Sequence, residues 1–276
     1  MDTHAEPIRP IAVAIAGLGA IGLPVARWLD GGIDGLKLVA VSANDKARAT
    51  ERLKDLATPP PVVDIPDLVA DADLIIECLP PDRFADIAEP AIEAGRILVA
   101  LTPCSLLAHW HLVDRAKETG ARIIIPTGAL LGFDAVRAAA KGTIHEVSMA
   151  TRKPPGGLKS AKFVVEQGID LDGLTEPLKL YEGTVRDAAA KFPANVNVAV
   201  ALSLAGAGPD ATRYEIWADP AVDRNTHSIK VDADSTRFEM SIAGVPTEEN
   251  PATGKLTPLS VMATLEGLVS TLRIGA

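Results

Sequence analysis

An α/β fold, with a Rossmann-type parallel sheet followed by a second, smaller α+β domain, is predicted by three features of the sequence. A glycine turn, Gly17–Gly22, stands between an apolar run and a helical segment. Short aliphatic runs then alternate with helical stretches as far as residue 125. Beyond that point the alternation gives way to strands of mixed patterning. Strand–helix alternation implies right-handed βαβ units and a parallel sheet, and its loss marks a domain boundary.

Taken in order, the apolar run Ile11–Ala16 predicts a first strand and Ala20–Leu29 a helix closed by Gly31-Gly32. Residues 36–41 predict a second strand and residues 46–56 a charged helix. The Pro59-Pro60-Pro61 run is a loop, because proline lacks the N–H that a helix or ladder needs. Strands follow at 74–78, 97–101 and 123–125. Between them, helices are predicted at 84–94, with Gly95 as its C-terminal stop, and at 105–119, before Gly120. In the second half, residues 144–152, 160–166, 213–218, 228–232 and 237–242 pattern as strands. Helices are predicted at 134–140, 185–190 and 196–204. Leu259, Met262, Leu265, Leu268 and Leu272 recur at helical spacing, so the chain should end in a helix. The expected domains are 1–125 and 126–255, with the helix of 256–276 packing back on the first.

Composition narrows the function. The net charge of −9 offers no basic stripe for a nucleic-acid partner. No apolar stretch approaches the roughly 20 residues that span a bilayer, so no membrane is expected. Met1–Pro10 is polar and carries neither a secretory nor a transit pattern, which together with only two cysteines points to a cytoplasmic protein. Cys78 and Cys104 read as small packing residues with no catalytic role. No two histidines have metal-ligand spacing, so no catalytic metal is expected.

Gly17-Leu18-Gly19-Ala20-Ile21-Gly22 fits G-x-G-x-x-G in its required strand-to-helix setting. Gly17 permits the tight turn, Gly19 lets a pyrophosphate approach the backbone, and Gly22 allows close packing of helix on strand. Ala20 and Ile21 complete the turn at the helix N-terminus, whose free N–H groups attract phosphate. A glycine turn kept for packing alone is the competing reading. The predicted second strand runs into Ser42-Ala43-Asn44-Asp45, with no carboxylate at its end. An acid there would bond the adenine ribose, whereas Ser42, Asn44 and Arg48 could accommodate a 2′-phosphate. NAD and NADP both remain open.

Several motifs in the second half occur in a fixed order: Pro126-Thr127-Gly128-Ala129, Gly132-Phe133-Asp134-Ala135, Thr151-Arg152-Lys153-Pro154-Pro155, Phe192-Pro193-Ala194-Asn195-Val196-Asn197-Val198, Ala218-Asp219-Pro220 and Arg224-Asn225-Thr226-His227. In these the chain resembles the L-aspartate dehydrogenase family, from the fingerprint to the C-terminus. The resemblance implies a Rossmann domain joined to an α+β catalytic and dimerisation domain, and a homodimer. It implies interconversion of aspartate with oxaloacetate and ammonia through iminoaspartate, an imine that feeds NAD biosynthesis in some organisms. His227 matches the family's catalytic histidine, and Ala129 and Asn197 match cofactor-contacting positions.

The residues agree in kind. His227 precedes the predicted strand at 228–232, and a histidine there titrates near neutral pH. Proton movement at the amino nitrogen and at the water that hydrolyses the imine suits an imidazole. Asn197, near a helix start, could orient a nicotinamide carboxamide, with Asn195 the better helix cap. A dicarboxylate substrate needs cations or N–H donors, for which Arg152, Lys153 and Arg224, with Asn225, are the candidates. The chain departs from the family's usual motifs at Leu101–Leu106, at Thr127–Gly132 and at Asn250–Gly254, where Ala252 replaces a lysine. Another small oxo or amino acid as substrate, or a non-catalytic dinucleotide sensor, are the alternatives.

Overall fold

The computed structural model describes residues 9–250 and 253–275. The expectations placed on Met1–Ile8, including His4, and on Ala252 lie outside the described residues. The chain divides into two compact units. Of the described residues, the first comprises 9–101, 109–126 and 261–273, and the second 102–108, 127–250, 253–260 and 274–275. The second unit contains slightly more of the chain, so it is not the smaller of the two.

The first unit is built on a five-stranded parallel sheet of order β2-β1-β3-β4-β5, made by β1 (Ile11–Ala16), β2 (Leu36–Ser42), β3 (Leu74–Glu77), β4 (Ile97–Ala100) and β5 (Arg122–Ile124). β1, β3 and β4 lie inside the sheet and are aliphatic apart from Glu77 at the end of β3, as in parallel sheets covered on both faces. The helices are α1 (Gly22–Asp30), α2 (Lys46–Leu53), α3 (Ile65–Asp71), α4 (Phe84–Glu93) and, past the residues 102–108 of the other unit, α6 (His111–Thr119). α3 was not anticipated, because Pro66 sits in its first turn and the proline run before it reads as loop. The predicted continuous helix of 105–119 is two helices, α5 (Pro103–Ala108) and α6, interrupted at His109-Trp110. The two halves belong to different units, so the apolar faces they bury differ.

The last helix, α11 (Leu256–Val269), contributes Val261 and Leu265 to the core of the first unit, fully buried among Val13, Ile15, Val25 and Leu29. No helix among the described residues is long and apolar enough to cross a membrane.

The second unit holds a mixed five-stranded sheet of order β10-β9-β6-β8-β7: β6 (Ile144–Lys153), β7 (Leu178–Thr184), β8 (Arg213–Ala218), β9 (Thr226–Ala233) and β10 (Arg237–Ala243). β6 is central, parallel to β8 and antiparallel to β9. Its helices are α5, α7 (Phe133–Ala139), α8 (Lys162–Glu166), α9 (Val185–Lys191) and α10 (Asn197–Ala205). The strand predicted at 160–166 is the helix α8. Its β-branched pair faces apart, Val164 buried and Val165 64% exposed, and Phe163 packs on Phe192 with ring centroids 5.2 Å apart. β7 escaped the prediction because a register shift between Lys179 and Tyr181 breaks its alternation against β8.

Along β6 the residues Val147, Met149, Thr151 and Lys153 are buried, and Ser148, Ala150 and Arg152 lie on the more open face. Tyr214, Ile216 and Ala218 of β8 and His227, Ile229 and Val231 of β9 share the buried face. The period of two thus gathers Thr151, Lys153, Tyr214 and His227 on one side of the sheet.

Candidate active site

In the first unit the glycine turn is built as its spacing requires. Gly17 has φ +101°, and a Cβ there would lie 2.5 Å from the carbonyl oxygen of Cys78. A Cβ on Gly22 would lie 1.9 Å from the carbonyl oxygen of Gly17, so α1 cannot approach the strand with any larger residue. At Gly19 a Cβ would meet nothing within 4 Å, which leaves the backbone open to a ligand. Gly17 N–H donates to the Ser42 carbonyl (2.8 Å), tying the turn to the end of β2. Ala20 and Ile21 lead into α1, where Ile21 also packs against the core. A turn serving packing alone would need Gly17 and Gly22 but not the open approach at Gly19. These residues fit a dinucleotide pyrophosphate.

At the end of β2 the side chain of Asp45 accepts from Arg48 N–H (2.9 Å) and caps α2. The nearest carboxylate is therefore spent on a helix N-terminus. Asn44 Oδ1 accepts from Arg83 Nη1 (2.6 Å), which brings a guanidinium to this edge. Arg83 was not singled out from sequence, since it lies 39 residues from Asn44 and only the parallel order of β2, β1 and β3 brings them together.

In the second unit His227 is the second residue of β9, paired in register with Thr151 of β6. Its side chain is 3% exposed, and its Nδ1 lies 3.0 Å from Thr151 Oγ1. The Tyr214 hydroxyl donates to the same Thr151 oxygen (2.9 Å). Burial, and then the positive charge of Lys153, push the imidazole pKa down to about 4. This corrects the expectation of titration near neutral pH: the ring is a neutral imidazole there, because its ionised form would be desolvated beside a cation.

Lys153, 8% exposed, ends β6 on the same face. Its ammonium donates to Asn195 Oδ1 (3.1 Å), and burial pushes its pKa down to about 8. Among the described residues no carboxylate lies within ion-pair distance of it. Asn195 is held by its N–H bond to the Phe192 carbonyl (2.8 Å), and Phe192 is fully buried. Asn195 is thus not the cap of α10. Val196 takes that position without a side-chain bond, because the Asn195 amide is turned to the lysine.

Asn197 Oδ1 accepts from Cys104 N–H (3.1 Å) at the start of α5. Its amide oxygen is therefore committed, and its nitrogen is the group left for a ligand. Cys104 is buried, and burial pushes its thiol up to about 12, so it stays protonated at neutral pH. Ala129 sits in a tight turn where Leu130 N–H donates to the Thr127 carbonyl (3.1 Å). Gly128 N–H donates to Ser260 Oγ (3.1 Å).

The other proposed cations do not join this group. Arg152 points to the opposite face, where it pairs with Asp219 (2.8 Å) and lies over the Trp217 ring (4.7 Å). Adjacent strand residues cannot both face His227, and Lys153 is the one that does. Arg224 is paired with its neighbour Asp223 (2.7 Å) and half-exposed. Asn225 contributes its carbonyl to Gly244 N–H (2.9 Å), fixing the turn into β9. Missed from sequence were Thr151 and Tyr214. Thr151 was visible as the residue two before Lys153 on the same strand face; Tyr214 carries no local signal.

Comparison with known proteins divides the chain between residues 126 and 134, and the C-terminal match runs on into α11. Residues 17–126 match a family model described as the NAD binding domain of homoserine dehydrogenase, so the first unit binds a nicotinamide dinucleotide. Residues 134–268 match one described as aspartate dehydrogenase, C-terminal. An L-aspartate dehydrogenase of Bradyrhizobium diazoefficiens is 54% identical over 96% of this chain and 94% of its own. L-aspartate dehydrogenase 3 of Bordetella bronchiseptica is 47% identical over 96% of this chain and 97% of its own. The crystal structure of aspartate dehydrogenase from Thermotoga maritima shares the fold, with a TM-score of 0.71 at 23% identity, over 96% of this chain and 99% of that one. With 54% and 47% identity to these relatives over nearly its whole length, the chain belongs to the L-aspartate dehydrogenase family.

Proposed function

We propose that the protein interconverts L-aspartate with iminoaspartate, and so with oxaloacetate and ammonia, by hydride transfer. The observation that carries this reading is the pairing of His227 with a buried ammonium, Lys153, that lacks a carboxylate partner among the described residues. A desolvated cation held only by an amide oxygen calls for an anionic ligand. A carboxylate of the substrate supplies that anion, and its charge offsets the cost of burying Lys153. The neighbouring imidazole then meets the oxygen at C2. It hydrogen-bonds the carbonyl of oxaloacetate as ammonia adds, and the hydroxyl that leaves as water when the imine forms. Gly17, Gly19 and Gly22 would hold the pyrophosphate of a nicotinamide dinucleotide, which would supply the hydride-transfer chemistry. Asn197, its oxygen bonded by Cys104 N–H, would offer its amide nitrogen, and the small side chain of Ala129 would leave the turn at Thr127–Leu130 open to the dinucleotide.

NADP serves at least as well as NAD in this reading. Asp45 is occupied as a helix cap, while Asn44, Ser42 and the Arg83 guanidinium line the end of β2. Arg83→Ala should lower kcat/KM for NADPH about ten-fold and leave that for NADH nearly unchanged. The active form is a homodimer in this reading, which sedimentation of the purified protein checks, and its place is the cytoplasm, which cell fractionation checks.

The decisive assay gives the purified protein oxaloacetate, ammonium and reduced dinucleotide and follows nicotinamide absorbance. Turnover is expected, and His227→Ala should lower kcat by about a hundred-fold or more. Turnover with a different oxo acid but none with oxaloacetate would overturn aspartate as substrate. Dinucleotide binding without turnover on any oxo acid would leave only a sensor.

A further inference from the structure

Resting on the reading of His227 just given, we infer that Thr151 and Tyr214 are positioning residues that hold its imidazole as the neutral tautomer with hydrogen on Nε2. The three side chains come from three neighbouring strands, β6, β8 and β9, and all are buried. Tyr214 Oη to Thr151 Oγ1 is 2.9 Å, and Thr151 Oγ1 to His227 Nδ1 is 3.0 Å.

The direction of the chain follows from counting hydrogens. Burial raises the pKa of the Tyr214 phenol, so it stays neutral and gives its hydrogen to Thr151. The threonine hydroxyl has one hydrogen of its own. Among the described residues, Tyr214 and His227 are its two hydrogen-bond partners. With Tyr214 acting as donor, the threonine hydrogen goes to Nδ1, which must then be the acceptor nitrogen. The remaining nitrogen, Nε2, carries the ring hydrogen. The opposite tautomer would aim two donors at Thr151 Oγ1 and strand the threonine's own hydrogen in a buried site. The same count resists a second proton on the ring, since Nδ1–H would face an oxygen already receiving a hydrogen bond.

The consequence concerns the substrate. An imidazole locked in this form presents a donor at Nε2. It meets the C2 oxygen by polarising it, and does not wait as a base with a free lone pair. Thr151 and Tyr214 touch neither substrate nor cofactor in this account; they act through the ring.

The test is nitrogen NMR on protein labelled with 15N-histidine, the His227 signals being assigned by their loss in His227→Asn. At neutral pH the native protein should show an unprotonated Nδ1 and a protonated Nε2. Thr151→Val should give a mixed tautomer and lower kcat by about ten-fold or more, with dinucleotide affinity within about two-fold of native. Thr151→Ser should restore both the spectrum and kcat. Tyr214→Phe frees the threonine to accept from the ring, so His227 should titrate at higher pH and the tautomers should mix. That variant carries the test alone should Thr151→Val fail to fold. A native ring with its hydrogen on Nδ1, or a Thr151→Val protein with native tautomer and kcat, would overturn the inference. His227→Asn separates the two claims. Full turnover in that variant overturns the catalytic role of His227. Its loss there, with normal turnover in Thr151→Val, overturns the positioning alone.

Discussion

Lys153 illustrates at the scale of one residue how the site trades stability for recognition. Its pKa is about 8 in the folded protein, against 10.5 for the free side chain, because burial disfavours the charged form. The unfolded chain therefore binds this proton more tightly. The penalty is fully present below pH 8 and fades as pH rises from about 8 to 10.5. That gap corresponds to about 3 kcal/mol as an upper bound. Lys153→Met should raise stability at pH 7 by about 1–3 kcal/mol, with the gain shrinking toward pH 10, while kcat/KM for oxaloacetate collapses; denaturant titrations across pH with parallel kinetics check both. His227 acts in the same sense at lower pH. Its folded pKa of about 4 lies under the ordinary 6.5, so stability falls as pH drops through that window and the loss is complete below about 4. Removing Lys153 should also raise the His227 pKa, since the lysine charge is one of its two causes. At this scale the sequence was half legible. Charge singled out Arg152, Lys153 and Arg224 alike, whereas strand alternation decides that only Lys153 shares a face with His227. The hydroxyls of Thr151 and Tyr214 acquire a role only through register between strands 63 residues apart, which no local pattern contains.

Among the elements, the strand–turn–helix at Gly17–Gly22 was the most legible, because Gly17 and Gly22 answer local packing demands and Gly19 leaves the backbone open to a ligand. These roles differ, and substitution separates them. Gly22→Ala drives a Cβ into the Gly17 carbonyl 1.9 Å away and should cost about 3 kcal/mol or more, read as a lowered denaturation midpoint without ligand. Gly19→Ala meets open space and should leave that midpoint within about 2 °C of native while weakening dinucleotide binding about ten-fold or more, as titrated by fluorescence. Equal destabilisation by both would mean the turn serves packing alone. Elements whose pattern is set from outside were less legible. α8 is rich in β-branched residues and reads as a strand, yet its burial is one-sided around Val164. β7 is an edge strand with a register shift, so its sequence lacks the clean alternation of the central strands. The break between α5 and α6 is set by the two different units that those helices serve.

For the molecule as a whole, the first unit is completed by the far end of the chain. Val261 and Leu265 of α11 are fully buried in a core otherwise drawn from β1, α1 and their neighbours, and Met262, Leu268 and Val269 pack around them. The helical spacing of these residues was readable, but periodicity names an apolar face without naming what covers it. A Leu→Ala change at such a site costs about 2–5 kcal/mol, a large share of the 5–15 kcal/mol that holds a typical protein together. Leu265→Ala should therefore lower the midpoint of the first unit's unfolding although the substitution lies more than two hundred residues from the glycine turn. Because that unit also binds the dinucleotide, ligand and helix stabilise the same folded state. Dinucleotide at a hundred times its Kd adds about 2.7 kcal/mol and should recover much of the lost midpoint. Calorimetry of native and Leu265→Ala protein, each with and without dinucleotide, reads this directly. A dinucleotide-responsive transition that the substitution leaves in place would show that α11 folds independently of the glycine turn.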